Sequence, residues 1–393
     1  MTVTDRDGLT DDERALVEMV ADFAARRLAP RALTWDADEH FPVQELREAA
    51  ALGMGAMYCG EDVGGSGLTR LDAVWVFTEL AAADPAVAAF LSIHNMCAWM
   101  IDSYGTGEQR KEWIPRLSSM EAIASYCLTE PGAGSDAAAL STRATRDGDD
   151  YVIDGVKQFI SGGGRSDVYV VMARTGESGP KGVSTFIVEA DTPGLSFGAQ
   201  EKKMGWHAQP TAAVILDGVR VPATAMIGGT DGAGEGFGYA MNGLNGGRIN
   251  IAACSLGAAR WAYEKSLAHV TEREAFGIAL VDEPTIRFTL AEMATDLIAS
   301  RLMLEEAARA LDSDHPDKVS RCAMAKLFVT ERCYSVADRA LQLQGGYGYL
   351  TEFGVEKVVR DLRVHRILEG TNEIMKVVIG RAEAARARKD VAR

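Results

Sequence analysis

Hydrophobic positions change their period twice along this chain. From Asp11 to about Leu117 the spacing is helical: Leu16, Val20, Phe23 and Leu28 recur at three- to five-residue steps, and an Ala-rich segment runs from Leu71 to Ala83. Pro30, Pro42, Gly60 to Gly67 and Pro85 break it into pieces. From Ala122 to about Pro222 the pattern becomes that of strands. Tyr151-Val152-Ile153 and Val156 to Ile160 flank Asp154-Gly155, which reads as a hairpin turn, and Asp167 to Ala173, Val183 to Val188 and Ala212 to Leu216 are short β-branched runs. A small sheet or barrel is predicted there. After the glycine-rich stretch Gly228 to Gly238 helical spacing returns. Leu290, Met293, Leu297 and Leu304 mark one face of a long helix opening near Phe288-Thr289, and Cys322 to Gln344 reads as another. The pattern is α+β, with a β insert between two helical regions.

Composition narrows the function classes. With 393 residues, 47% hydrophobic and 25% charged, the chain has the make-up of an ordinary soluble enzyme with ample material for a core. The net charge of −15 argues against nucleic acid as a partner, since phosphate binding needs a basic surface. Only the tail from Arg381 to Arg393 is basic, as solvated helix ends often are. Six cysteines occur without a C-x-x-C pair, so neither a disulfide framework nor a zinc site is indicated. The first residues carry acids early and no apolar h-region, and no apolar run reaches the ~18–20 residues of a membrane span. A cytoplasmic location is the expectation.

Two segments carry chemistry. Arg366-Ile367-Leu368-Glu369-Gly370-Thr371-Asn372-Glu373-Ile374-Met375 places one carboxylate in an apolar turn before a glycine, where desolvation raises its pKa toward that of a general base. Upstream, Ser125-Tyr126-Cys127-Leu128-Thr129-Glu130-Pro131-Gly132-Ala133-Gly134-Ser135-Asp136 is a glycine-rich loop that offers backbone N–H groups and hydroxyls to a polar ligand. Gly132 to Ala137 also satisfies G-x-G-x-x-A. A dinucleotide fold, however, requires a helix directly after the glycines, and here a polar stretch leads into antiparallel strands.

Together the two segments resemble the signature pair of the acyl-CoA dehydrogenase family, and the likeness extends over nearly the whole chain. It implies an N-terminal helical domain (1–121), a middle β-barrel or sheet domain (122–233) and a C-terminal domain of four-helix-bundle type (234–393). It implies FAD as cofactor, an acyl-CoA substrate, an electron-transfer flavoprotein as electron acceptor, and a homotetramer. By resemblance Glu369 is the base and Arg248 its electrostatic partner. Tyr126, Leu128, Thr129, Gly134, Ser135, Phe159, Ile160 and Ser161 would line the flavin. Arg273, Phe276, Gln342, Gln344, Gly345 and Gly346 would reach the cofactor of a neighbouring subunit. Thr371 and Glu373 would flank the base. Ser135, Asn245, Gly246, Gly247, Arg248, Gly370 and Arg381 would meet the acyl-CoA. Three departures from the family pattern stand out: Phe159 where tryptophan is frequent, Glu373 where glutamine is common, and Pro284 near a position where relatives often carry a glutamine.

Some relatives place the base on the segment that here reads Asn242 to Asn250, but that segment holds no acid, which leaves Glu369. In the family's reaction the glutamate removes the proton α to the thioester while the β-hydrogen leaves as hydride to the flavin. Leu368, where straight-chain enzymes commonly carry tyrosine, fits a pocket reshaped for a short branched acyl group. An oxidase using O₂ at the same site and a catalytically silent flavoprotein are the alternatives at this point.

Overall fold

The structure is a computed structural model, and it describes residues 9–391. The reading of the first seven residues therefore lies outside the described residues. The N-terminal region is helical: α1 Asp11–Phe23, α2 Ala32–Ala37, α3 Val43–Ala49, α4 Arg70–Ala83, α5 Pro85–Tyr104 and α6 Gly107–Ser118. Three of these helices open on reciprocal capping boxes, Thr10 with Glu13, Thr69 with Asp72 and Thr106 with Gln109. Pro85 starts α5 rather than merely ending what precedes it. Asp84 caps the helix by accepting from Ala86 and Val87, and the proline fills a position that needs no N–H.

The middle region is a curled seven-stranded sheet: β1 Ala124–Cys127, β2 Arg143–Asp147, β3 Asp150–Ser161, β4 Val168–Arg174, β5 Val183–Glu189, β6 Leu195–Phe197 and β7 Thr211–Pro222. Its order is β1-β4-β2-β3-β7-β6, with β5 paired to β4. The predicted turn at Asp154-Gly155 is not a hairpin. β3 runs straight through it, and the reversal lies earlier, between Asp147 and Asp150. Asp154-Gly155 is instead a bulge against β7, where the register slips between Ile153 and Gly155. Gly155 has φ 154°, and a Cβ there would sit 2.4 Å from the Thr142 hydroxyl, so the glycine serves a close strand crossing and not a turn.

The C-terminal region holds α7 Gly236–Glu272, a short hairpin β8 Glu274–Ala275 and β9 Ile278–Ala279, then α8 Pro284–Asp312, α9 Lys318–Gln344, α10 Gly346–Tyr349, α11 Val355–His365 and α12 Asn372–Val391. α8 begins at Pro284, four residues before the point the hydrophobic face suggested, because a proline at the first helical turn costs nothing. α7, α8, α9 and α11 pack together with apolar stripes that merge with α1, α4 and α5 into one core, and α12 lies against α9. A second core joins α5 and α6 to β1, β4 and the start of α7, and a third fills the sheet. The glutamate loop between α11 and α12 lies against α7. Among the described residues no helix is long and apolar enough to cross a membrane, and no cluster of side chains suits a metal ion.

Candidate active site

Glu369 sits in the tight turn between α11 and α12 with φ 58°, and Gly370 follows with φ 86°. Two successive left-handed residues, one of them not glycine, are costly and persist only where neighbours hold them. Two buried cations do so here. Arg248 Nε donates to the Glu369 carbonyl at 3.3 Å, and Lys326 Nζ donates to the Gly370 carbonyl at 2.9 Å and to Asn372 Oδ1 at 2.8 Å. Asn372 continues the network to Thr330 and Glu331 on α9. The carboxyl itself is left alone: Glu369 Oε2 is shielded from solvent and has no hydrogen-bond partner. The Glu369 backbone N–H likewise enters no hydrogen bond among the described residues.

Burial pushes the Glu369 carboxyl up to about 7, against the pull of Arg248 and Lys326. That value suits a base working near neutral pH. α7 makes room for it with glycine. A Cβ on Gly247 would lie 2.4 Å from Glu369 Oε2, so any side chain there would displace the carboxyl. Asn245, one helical turn before Arg248, accepts from Arg248 Nη1 at 2.8 Å and fixes the guanidinium. Lys326 belongs to this constellation and was missed in the sequence. The available signal was a lysine on a helix face otherwise occupied by Cys322, Ala325 and Val329.

The glycine-rich loop is pinned by a buried ion pair. Glu130 accepts from Lys157 Nζ at 2.8 Å, from Ser141 N and Oγ at 2.6 and 2.7 Å, and from Thr142 N at 2.9 Å. Burial raises the Glu130 carboxyl, but the charge and hydrogen bonds of Lys157 outweigh it and hold the group at about 2. Lys157 also donates to the Leu128 carbonyl, and Gln158 N donates to Thr129 O, so Thr129 is carried to the side of β3. There a second bulge, between Lys157 and Ile160, turns Phe159 outward: its φ is 59° and its side chain is 65% exposed. Ser161 follows, its hydroxyl accepting from Gln209 Nε2 at 3.2 Å and free to donate elsewhere. Tyr126 and Thr129 are half-buried, Leu128 and Ile160 are buried, and Gly134 and Ser135 are exposed on the loop.

The other sequence candidates fall into two groups. Gly246 and Gly247 are buried with Asn245 on α7, and Gly370 and Thr371 flank the base, where Thr371 Oγ1 accepts from Ile374 N. Glu373 and Arg381 are exposed on α12. Arg273, Phe276, Gln342, Gly345 and Gly346 are exposed around the C-terminal ends of α7 and α9, and Phe276 forms the tip of the β8–β9 hairpin at 96% exposure. Gln344 is buried among them and donates to Ser266 on α7. Beside this group His269 of α7 meets Tyr347 of α10, ring to ring.

An unpartnered buried carboxyl faced by Tyr126 of the glycine-rich segment, with Phe159 and Ser161 on the bulged strand beside Thr129 of the same segment, has the make-up of a proton-abstracting site with a surface for a planar ligand. Comparison with known proteins agrees. Residues 10–121, 125–219 and 234–384 match the N-terminal, middle and C-terminal domains of acyl-CoA dehydrogenase. The chain is 55% identical to mitochondrial isobutyryl-CoA dehydrogenase of Dictyostelium discoideum and 50% identical to that of Bos taurus, each over 95% of this chain and 89% of the relative. Its fold superimposes with a TM-score of 0.90 on a glutaryl-CoA dehydrogenase from Mycobacterium smegmatis in complex with FADH2, at 30% identity over 96% of this chain and 95% of that one. The chain belongs to the acyl-CoA dehydrogenase family. It is an FAD-dependent enzyme, and its own residues fit that group. Phe159 holds an exposed ring outward from a strained position, the Ser161 hydroxyl is free to donate, and Glu369 Oε2 is an orphaned buried acceptor aimed into the site.

Proposed function

We propose that the enzyme dehydrogenates a short branched-chain acyl-CoA, isobutyryl-CoA to methacrylyl-CoA, in valine breakdown. The observation that carries the chemistry is the buried, unpartnered Glu369 carboxyl beside Gly247. Support for the acyl group comes from the two isobutyryl-CoA dehydrogenase relatives and from Leu368, which packs into the helical core directly before the base.

Glu369 takes the α-proton on Oε2, the oxygen without a partner. Bound FAD supplies the acceptor for the hydrogen that leaves the β-carbon with its electron pair. As the α-proton departs, charge builds on the thioester oxygen, and the uncommitted N–H of Glu369 is the chain's donor for it. Arg248 and Lys326 keep the carboxyl ionised before transfer and hold the turn in its left-handed form. Phe159, Ser161, Thr129 and the Gly134–Ser135 loop hold cofactor and CoA. The exposed Arg273, Phe276, Gln342, Gly345 and Gly346 would complete the cofactor site of a second subunit in a homotetramer. An electron-transfer flavoprotein is the proposed acceptor. All six cysteines are free and buried, which suits a reducing compartment such as the cytoplasm. The relatives named above are mitochondrial, and that compartment also keeps thiols reduced.

Anaerobic mixing with isobutyryl-, 2-methylbutyryl- and butyryl-CoA tests this reading through the flavin absorbance. Isobutyryl-CoA should bleach it fastest, and Glu369→Gln should abolish bleaching while FAD stays bound. Bleaching by butyryl-CoA alone would overturn the substrate, and bleaching by the variant would overturn the base. Peroxide formed in air at the turnover rate would mark an oxidase instead.

A further inference from the structure

The loop between β6 and β7 presses on α11, the helix that leads into the base turn. A Cβ on Gly205 would lie 2.7 Å from the Arg360 carbonyl carbon, and Trp206 N donates to Asp361 Oδ1 at 2.5 Å. Trp206 stands at φ 57°, a left-handed conformation that a bulky residue keeps only where its surroundings impose it. Its indole Nε1 donates to His365 Nε2 at 3.2 Å, and the two rings meet edge to face with centroids 5.4 Å apart. On the other side of the imidazole, Nδ1 lies 2.7 Å from Ser255 Oγ on α7, and that hydroxyl donates to the Ile251 carbonyl at 2.8 Å. An indole nitrogen only donates, so Nε2 is the acceptor and Nδ1 carries the hydrogen that goes to Ser255. Burial, helped by the Lys326 cation, pushes His365 down to about 3, which keeps this neutral tautomer near neutral pH.

The chain of bonds has functional groups at both ends. Toward the sheet, Trp206 O accepts from Gln209 N at 3.2 Å, and Gln209 Nε2 donates at 3.2 Å to Ser161 Oγ, the hydroxyl assigned above to the cofactor. Toward the base, His365 is the last residue of α11. The Ile367 and Leu368 N–H groups both donate to the Val364 carbonyl, at 2.8 and 3.1 Å, and fasten the Glu369 turn to that helix end. Resting on the roles given above to Ser161 and Glu369, we infer that Trp206 and His365 are positioning residues, which set the spacing between the cofactor side of the site and the base. A buried neutral imidazole and a strained tryptophan are poor space fillers, since an apolar pair would occupy the same volume with neither strain nor desolvated nitrogens. What they add is direction. Apolar contact is non-directional, whereas the hydrogen bonds on the two imidazole nitrogens fix how α11 is turned against α7 and against the sheet loop.

Stopped-flow reduction of the FAD-loaded enzyme, by the acyl-CoA that bleaches the wild type fastest, tests the assignment. Trp206→Phe keeps an aromatic ring and removes the N–H, and His365→Leu keeps bulk and removes both nitrogens. Each should lower the limiting reduction rate at least tenfold, with the half-saturating substrate concentration changed by less than about twofold and FAD content unchanged, because misplacing reacting groups costs rate and not affinity. His365→Gln, whose amide oxygen is able to accept from the indole, should keep more of the rate than His365→Leu. The double variant Trp206→Phe/His365→Leu strands neither partner of the indole–imidazole bond, so it should regain Tm over Trp206→Phe while its reduction stays slow. A double variant with the wild-type rate would overturn the positioning role and leave a structural one. So would single variants with the wild-type limiting rate, equal losses in His365→Gln and His365→Leu, or an effect confined to half-saturation. Glu369→Gln run alongside separates this inference from the reading beneath it: bleaching by that variant overturns the base, whereas a silent Glu369→Gln with fully active Trp206 and His365 variants overturns the positioning role alone.

Discussion

Replacing Lys326 by methionine separates electrostatics from scaffolding in the base. Lys326 is fully buried and faces the Glu369 turn from α9, Arg248 faces it from α7, and Cys97 and Tyr126 face it from α5 and β1. Burial pushes Lys326 down to about 8, so it is still cationic at neutral pH. Glu369 stands at about 7 because burial wins over Arg248 first and Lys326 second. Removing the lysine therefore raises Glu369 further. A neighbouring opposite charge moves a carboxyl by about 1–3 units; because Arg248 supplies the larger share, about 1 unit is assigned to Lys326, or roughly 1.4 kcal/mol. The base works as carboxylate, so the rate of flavin reduction by isobutyryl-CoA should climb with pH through about 7 in the native enzyme. In Lys326→Met the limb should move about one unit to the alkaline side, making the variant about tenfold slower at acid pH and nearly equal at alkaline pH. Stopped-flow absorbance across the pH range, on protein checked for full FAD content, reads this directly. A loss by the same factor at every pH would refute the electrostatic account and leave Lys326 only a structural role.

Gly247→Ala should keep the fold, since alanine favours a helix interior by about 1 kcal/mol over glycine, yet slow flavin reduction about 100-fold by displacing the carboxyl. Circular dichroism with stopped-flow reduction checks both halves, and unaltered reduction would show that Glu369 has another place to go. Glu130→Gln strands the fully buried Lys157 and should cost about 3–5 kcal/mol in denaturant unfolding, with FAD loss preceding global unfolding. In the native chain Glu130 is held at about 2, below its unfolded value of about 4.3. Its contribution is therefore complete above about pH 4.3 and lost as pH falls toward about 2, so the Gln variant and the wild type should converge in stability in acid.

Local patterns in the chain determined much of this protein. Alternating and helical spacing located the sheet and the long helices, because burial of one face writes its period into the residues. Glu369 and the glycine-rich loop were legible because their chemistry is written in contiguous residues. Tertiary structure decided what depends on approach between distant segments. Asp154-Gly155 has the composition of a turn, but β7 and Thr142 pack against it and make it a bulge within one long strand. Lys326 and Glu369 are far apart in sequence, and only the packing of α9 on the α11–α12 turn makes the lysine an anchor of the base. The pairing of Glu130 with Lys157, and the exposure of Phe159 that follows from the neighbouring bulge, likewise arise from strand crossing. A sequence specifies such contacts only through the fold, because the desolvation that raises Glu369 is a property of the space around a residue and not of the residue itself.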